Sequence, residues 1–496
     1  MVSVNTNIAS LQAQSALKST QGDYENAMLR LSTGKKINGA ADDAAGLSVA
    51  SSMTSQIKGL KMAAKNASDG ISLVNTIEGA LDEASDILQR IRELAVQSIS
   101  DTNNGSDRNY IQDEVNQLNN ELNRISSTTQ YNGMNVLDGS YTDRTMQIGN
   151  LGNQVLKFGV SSVDTTTLGA QERNSVAEVL GTAVATHALA KTGLNALYDA
   201  GADYTLAGTF GTKTAAVEAG ADARDVAAAF NLISNETNVK ATAITRARLT
   251  QSAAGTISFV LEGKSTTTST VTATLTSAAD QTALRDAINA VSGSTGITAT
   301  LTSDKSAINL VQAEGYDIYI SGVATTQATL QAADKDGTLI AGVSTLGAAA
   351  TTDSTGVAGA VSLSSDKAFT VTSGNAANHF SAATTALSSA LSALGDITLK
   401  TVVGSTNAIA VVDKALQMVA SSRSGLGAIQ NRLTSTVTNL NNIVAKTEQS
   451  RAQIVDADYT SETTALSKSQ ILQQASTAML AQANKANQGV LQLLQG

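Results

Sequence analysis

Between residues 71 and 99 apolar side chains stand at Val74, Ile77, Leu81, Ala84, Leu88, Ile91, Ala95 and Ile99, in steps of three or four residues. A helix turns once in about 3.6 residues, so this spacing gathers one stripe for burial against other helices. Gly79 is the single glycine inside the repeat after Ile71, and it costs only ~1 kcal/mol against alanine. A helix of ~30 residues spans ~45 Å, which predicts part of a rod. The same seam returns at Ile111, Val115, Leu118, Leu122 and Ile125. Far downstream it returns at Leu426, Ile429, Leu433, Val437, Leu440 and Val444, then at Leu472, Ala475, Met479, Ala483, Ala486, Val490 and Leu494. The two ends of the chain are therefore expected to pack together as long antiparallel, coiled-coil-like helices, with the middle carried as an insertion. The expected rod core is Val74, Ile77, Leu81, Leu88, Ile91, Leu118, Leu122, Leu426, Ile429 and Leu433.

The first stretch, 3–33, reads as a helix with a thin apolar face: Ile8, Leu11, Ala16, Leu29 and Leu31. So few large side chains cannot offset the ordering entropy of a helix alone, so this one is expected to fray in the monomer and order on assembly. Gly34 stops it, and Asp42 or Asp43 opens the next helix as a cap. After Asn132-Gly133, the positions Met146, Ile148, Val155, Phe158 and Val160 predict a β-hairpin on the rod.

From about 171 to 400 the heptads vanish and Thr, Ala, Ser and Gly dominate. A helix is expected over 217–233, with strands at 257–261 and 271–275. A second helix follows at 280–289, then strands at 297–301, 308–311 and 318–320. Residues 330–400 read as a second small outer subdomain. The fold class is thus a mainly α rod with a β-hairpin and a β-rich α+β outer region inserted mid-chain.

Composition narrows the function. The chain has no proline, cysteine or tryptophan, 3% aromatic residues and a formal charge of −9. Lack of cysteine excludes disulfides and thiolate metal sites. An acidic balance leaves no basic surplus for a nucleic-acid partner. No run of eighteen apolar residues exists to cross a membrane, and the opening Met1–Ile8 has neither the basic nor the apolar region of a secretory signal. On those grounds alone the chain would be placed in the cytoplasm.

Three stretches carry a specific resemblance. They are Leu29–Leu47 with its Leu-Ser-Thr-Gly-Lys-Lys-Ile-Asn-Gly-Ala-Ala-Asp-Asp-Ala-Ala-Gly-Leu run, Ala63–Ile71, and Leu88-Gln89-Arg90-Ile91-Arg92-Glu93-Leu94-Ala95-Val96-Gln97. Together they resemble the N-terminal region of bacterial flagellins. Gly425–Leu433, Asp456-Ala457-Asp458-Tyr459, Ser469–Ala475 and the closing Leu491–Gly496 resemble the family's C-terminal region, though the proline many relatives carry near that end is missing. The likeness covers roughly 1–165 and 405–496. A weaker one joins the β–β–α–β–β block after 257 to the insertion motif of flagellin variable regions.

The resemblance implies an extracellular filament subunit, a helical homopolymer used for motility. It implies an inner helical domain from 1–42 and 455–496, a rod domain from 43–170 and 401–454, and a surface-exposed outer region over 171–400 in two subdomains. It also implies export through the flagellar type III apparatus without a cleaved signal, which reverses the cytoplasmic reading. An export chaperone would cover the terminal face Ile471, Leu472, Met479, Val490 and Leu494; a filament cap protein and a hook–filament junction protein complete the partners. By composition, the mixed Arg90, Leu94, Gln97 strip reads either as a solvated face or as a contact surface. The resemblance makes it, with Glu114, a subunit interface and the contact face for host Toll-like receptor 5. Leu118 stands where some relatives have arginine.

Catalysis is not expected. The two histidines, His187 and His379, lack the spacing of a zinc site, and no phosphate loop, nucleophile elbow or dinucleotide fingerprint appears. No cofactor is expected. Alternatives are a hook–filament junction protein, an outer region that binds glycans, for which Tyr198, Tyr204, Tyr316 and Tyr319 are too dispersed to form a platform, and O-glycosylation of the Ser/Thr-rich segment.

Overall fold

A computed structural model describes residues 6–175, 178–179, 183–184, 186, 190, 203–218, 220–264, 268–323, 328–347, 353–373, 380 and 386–494, with side chains described except at 178–179 and 486–494. His187, His379 and Tyr198 lie outside the described residues. The longer helices among them are α1 (Ile8–Thr33), α2 (Ala44–Ile99), α3 (Gly105–Thr128), α4 (Ala223–Leu232), α5 (Thr282–Ala290), α6 (Val402–Val455) and α7 (Tyr459–Leu494). With no proline to remove an amide or clash with the preceding turn, α2 runs unbroken for 56 residues and α6 for 54. The predicted seam of 71–99 is only the second half of α2. Two compact units result, one of 1–75, 143–159 and 426–496, the other of 76–142 and 160–425.

In the first unit, α1 ends where Gly34 takes φ +69 and its amide reaches the Arg30 carbonyl. Asp42 Oδ2 then accepts from the amides of Asn38 and Gly39, both at 2.9 Å, and Asp43 Oδ1 accepts from Gly46 at 2.8 Å. The Asn38 and Gly39 amides hold Asp42 below the usual carboxylate range. These carboxylates organise a loop and open α2, which is work that needs no metal. Strands Arg144–Gln147 and Val155–Phe158 pair antiparallel, Met146 opposite Leu156. That hairpin closes a small core of Ala67, Leu156 and Leu433, with Ile71, Met146 and Ile429 partly buried around it. A second cluster joins Ile57, Leu60, Ala63 and Ala64 of α2 to Leu440 and Val444 of α6.

In the second unit Ile77, Leu81, Leu88 and Ile91 of α2 are fully buried, and so are Val115 and Leu122 of α3. Leu118, expected in that core, is only half-buried; its neighbour Asn119 is buried instead. The segment after the β-region explains the exchange, because its backbone groups need partners once covered. Gln112 Oε1 accepts from the Leu399 amide at 2.6 Å, Asn119 donates to the Leu394 carbonyl at 3.4 Å, and Ser98 donates to the Leu399 carbonyl at 2.6 Å.

Among the described residues the β-region forms antiparallel sheets of eight, five and four strands. The long strand Lys240–Gln251 is their pivot. Its first half pairs with Ala360–Ser365; its second half lies between Ile308–Gln312 and Ala328–Ala333. Two sequence expectations change here. The helix expected from 217 starts at Ala223, because the Asp222 side chain accepts the Asp225 amide and caps it there. Among the described residues the strands of 330–400 are shared with earlier parts of the chain: some join the sheets of 240–251 and 318–321, while 370–373 and 387–388 pair within the four-stranded sheet of 204–215.

One module occurs twice. In the first copy the Asn231 side chain donates to the Ala241 carbonyl and accepts the Ala241 amide, both at 2.9 Å; Asn289 does the same with Ala299 at 2.9 and 2.8 Å. Ser234 and Thr237 bond back to Asn231 and Ile233 as Ser292 and Thr295 do to Asn289 and Val291. Asn238 and Gly296 both turn left-handed before the following strand. A Cβ on Gly208 or on Gly263 would strike the carbonyl oxygen of Thr237 or Thr295 respectively. Hairpins 204–215 and 255–275 supply Tyr204 and Leu206 to one core, and Phe259 and Leu261 to the other. The match sets an expectation: Asn231→Ala and Asn289→Ala each lose two bonds across the same joint. Each variant should destabilise the β-region by about 1–2 kcal/mol, additively in the double variant, as read by chemical denaturation.

Candidate assembly surfaces

The terminal helices meet within the first unit. Lys36 donates its amide to the Val455 carbonyl at 2.6 Å and Ala457 donates to Gly34 at 3.0 Å, so the chain leaving α1 pairs with the chain entering α7. Asp458 opens α7 by accepting the Thr460 amide at 2.9 Å. Asn7 caps α1 and also donates to the Ala483 carbonyl at 3.1 Å, and Arg30 faces Glu462 at 3.4 Å. These contacts are polar or backbone contacts. Among the described side chains Ala27 is the buried one in α1 and Ser469 the buried one in α7.

Seven large apolar side chains of these helices are exposed, while Leu17, Leu31, Leu466 and Leu480 are half-buried. Ile8 is 58% exposed, Leu11 55%, Ile471 67% and Met479 66%, with Met28, Leu29 and Leu472 also exposed. Fully covering a side chain of this size is worth ~1.5–3 kcal/mol. A single chain leaves that unrealised at seven positions on two helices, a pattern that marks an interaction surface. Val490 and Leu494 fall where side chains are not described.

In the second unit Arg90 and Gln97 of α2 are exposed, and so is Glu114 of α3. The Arg90 guanidinium meets Glu114 at 2.8 Å and Glu93 at 3.1 Å, spanning two helices and one helix turn. Arg92 reaches Asp413 at 2.6 Å, and Arg423 reaches Glu78 at 2.7 Å and Asp82 at 2.9 Å. All are half-exposed surface pairs, weak because water screens them; they fix where charges sit more than they hold helices together.

Leu94 does not belong to that face. It is 1% exposed, as is expected of core, and Ile87 and Ser98 are buried with it. The buried stripe of α2 is therefore wider than a two-position seam: 87, 91, 94, 95 and 98 all turn inward, as they do when one helix is flanked by two others. Arg90 and Gln97 remain available to a partner. Of the dispersed tyrosines, Tyr204 packs at a tilt against Phe230 inside a core, ring centroids 5.5 Å apart, and Tyr319 is buried. Among the described residues no group of three or more His, Cys, Asp or Glu side chains is arranged to hold a metal ion. No described helix is long and apolar enough to cross a membrane.

Comparison with known proteins addresses the same elements. Residues 4–142 match the bacterial flagellin N-terminal helical region, 409–494 the bacterial flagellin C-terminal helical region, and 257–314 the flagellin hook IN motif. The B-type flagellin of Pseudomonas aeruginosa is 37% identical over 498 residues, covering 99% of each chain. Flagellin 1 of Proteus mirabilis is 48% identical over 166 residues, 34% of this chain and 46% of that one. Among solved structures, FliC from Burkholderia pseudomallei aligns with 73% of this chain and 99% of its own at 17% identity and a TM-score of 0.30. Helical ends with uncovered apolar faces, both terminal matches and a relative similar from end to end lead to one conclusion: this chain belongs to the bacterial flagellins, the subunits of the flagellar filament.

Proposed function

We propose that polymerisation proceeds by burying the exposed apolar faces of α1 and α7 between copies of the chain, in contacts that do not close on themselves and so extend as an open helix. The observation that carries this reading is the exposure of Ile8, Leu11, Ile471, Leu472 and Met479 on two helices whose described side chains include only Ala27 and Ser469 as buried. On this reading 1–42 and 455–496 form the inner part of the filament, 43–170 and 401–454 its wall, and 171–400 the outer surface. The start of α2 at Ala44 and the end of α6 at Val455 support those borders. Arg90, Gln97 and Glu114 form a lateral contact between subunits and, in free monomers, the face open to Toll-like receptor 5. Leu94 supports that face from beneath.

Before assembly the α7 face is the surface an export chaperone must cover, since an uncovered one would polymerise or aggregate in the cell. Export through the type III apparatus, insertion under a filament cap and attachment to a hook–filament junction protein complete the pathway. Electron micrographs of the purified full-length chain under polymerising conditions test the central claim. Long uniform filaments are expected; a compact monomer with strongly protected amides across α1 overturns it.

A further inference from the structure

Between the two copies of the repeated module runs the strand Ile318–Ser321. Ile318 and Ile320 belong to the core that contains Phe259, while Tyr319 belongs to the core that contains Tyr204 and Phe230. Asp317 precedes this strand and is 6% exposed. It lines a cavity of about 310 Å³ with Asp222, Arg224, Asp225, Glu262, Lys264 and Tyr316. The Tyr319 hydroxyl donates to Asp317 Oδ2 at 3.1 Å. Oδ1 is buried without a hydrogen-bond partner.

The cations nearby are committed elsewhere. Arg224 pairs with Asp225 at 2.5 Å and lies over the Tyr316 ring at 4.6 Å; Lys264 pairs with Glu314 at 2.6 Å. An ionised Asp317 would thus sit buried beside other carboxylates with an oxygen left unsatisfied, the arrangement in which the neutral acid is favoured. No described cluster is arranged to hold a metal that could supply the missing positive charge. A proton can.

We propose that Asp317 is a proton-operated latch on the seam between the two modules, closed when its carboxyl is neutral and loosened when it ionises. Burial, then the charge of Asp222, push the Asp317 carboxyl up to about 7, against the Tyr319 hydroxyl and the Gly359 amide, which act the other way; Asp225 adds to the rise. Burial raises Asp222 as well, and burial also pushes the Tyr319 phenol up, so it remains a donor. The folded value lies above the unfolded one near 3.8. The latch therefore contributes its full stability below about pH 4 and loses it as pH rises through 7.

Hydrogen exchange of the full-length protein, followed at amides 318–321 and corrected for the intrinsic rate, tests the latch. Protection should fall by up to ~tenfold per pH unit from pH 5 to about 7 and then level off. Asp317→Asn should remove that slope. Asp222→Asn, which keeps the helix cap, should move the levelling point to lower pH, and it serves as the test if Asp317→Asn fails to fold. Flat protection in the wild-type chain, an unchanged slope in Asp317→Asn, or an unmoved levelling point in Asp222→Asn would each overturn the proposal.

Discussion

Aspartate at both Ile471 and Met479 should leave the monomer folded and stop filament growth. Both side chains are two-thirds exposed on α7, so the single chain loses little packing when they change. In the proposed polymer each would be covered, and each substitution would forfeit ~1.5–3 kcal/mol of apolar burial. A carboxylate driven into that interface adds its own desolvation cost. The loss is therefore at least ~3 kcal/mol per added subunit, and since 1.4 kcal/mol is a factor of ten, the critical concentration should rise by more than ~100-fold. Pelleting across a concentration series measures it, with circular dichroism and thermal melting as the control on the monomer. Pelleting at the wild-type concentration would remove α7 from the proposed interface. A cooperative loss of helix in the monomer would mean that this face is already packed within one chain.

How far the sequence discloses the molecule depends on which force shapes each part. The helices were legible because their burial repeats every three or four residues over long spans, and Ile77, Leu81, Leu88 and Leu433 are buried where the repeat places them. Where polar side chains replace leucines the repeat misleads. Leu118 fits the spacing, yet Asn119 occupies the interior because the covered Leu394 carbonyl needs a donor. Period alone also cannot show how wide a buried stripe is, which is why Leu94 reads as surface among Arg90, Arg92 and Gln97. Only the number of neighbouring helices decides that, and this is a tertiary fact.

In the β-region the short strands 297–301 and 308–312 show their β-branched runs plainly. The pivot strand Lys240–Gln251 hides, because Arg246 and Arg248 stand on its less buried face and Thr and Ala dilute the alternation. A clearer signal was available there and depends on hydrogen bonding, not hydrophobicity. Phe-Asn-Leu-Ile-Ser-Asn-Glu-Thr-Asn-Val-Lys-Ala-Thr at 230–242 and Ile-Asn-Ala-Val-Ser-Gly-Ser-Thr-Gly-Ile-Thr-Ala-Thr at 288–300 share Asn, Ser, Thr, Ala and Thr in register. Of those shared residues the Asn side chain ties helix to strand in both copies, while Ser and Thr bond back to carbonyls of the preceding helix. Seeking internal repeats before assigning elements would have placed the strand after 238 without a hydrophobic cue.

Separating Leu94 from Arg90 provides the second test with a large expected effect. Leu94→Ala removes a fully buried side chain from the helical part of the second unit and should cost the monomer ~2–5 kcal/mol, the range for leucine deletions that leave a cavity. Arg90→Ala breaks half-exposed pairs to Glu114 and Glu93, so the monomer should change by less than ~1 kcal/mol. On assembly the order should reverse in meaning. Arg90→Ala acts at the proposed lateral contact and should slow filament growth or weaken receptor signalling at unchanged monomer stability. Leu94→Ala should reduce both only in proportion to unfolding, and Leu94→Met, which nearly conserves volume, should restore both. Guanidinium titrations of each monomer, paired with growth rates from wild-type seeds, separate the two effects. Were Arg90→Ala to assemble and signal normally, this face of α2 would be merely solvated. Were Leu94→Ala to leave the monomer as stable as wild type while blocking growth, the side chain would have to turn outward in the polymer, and the packing described for α2 would hold only for the free subunit.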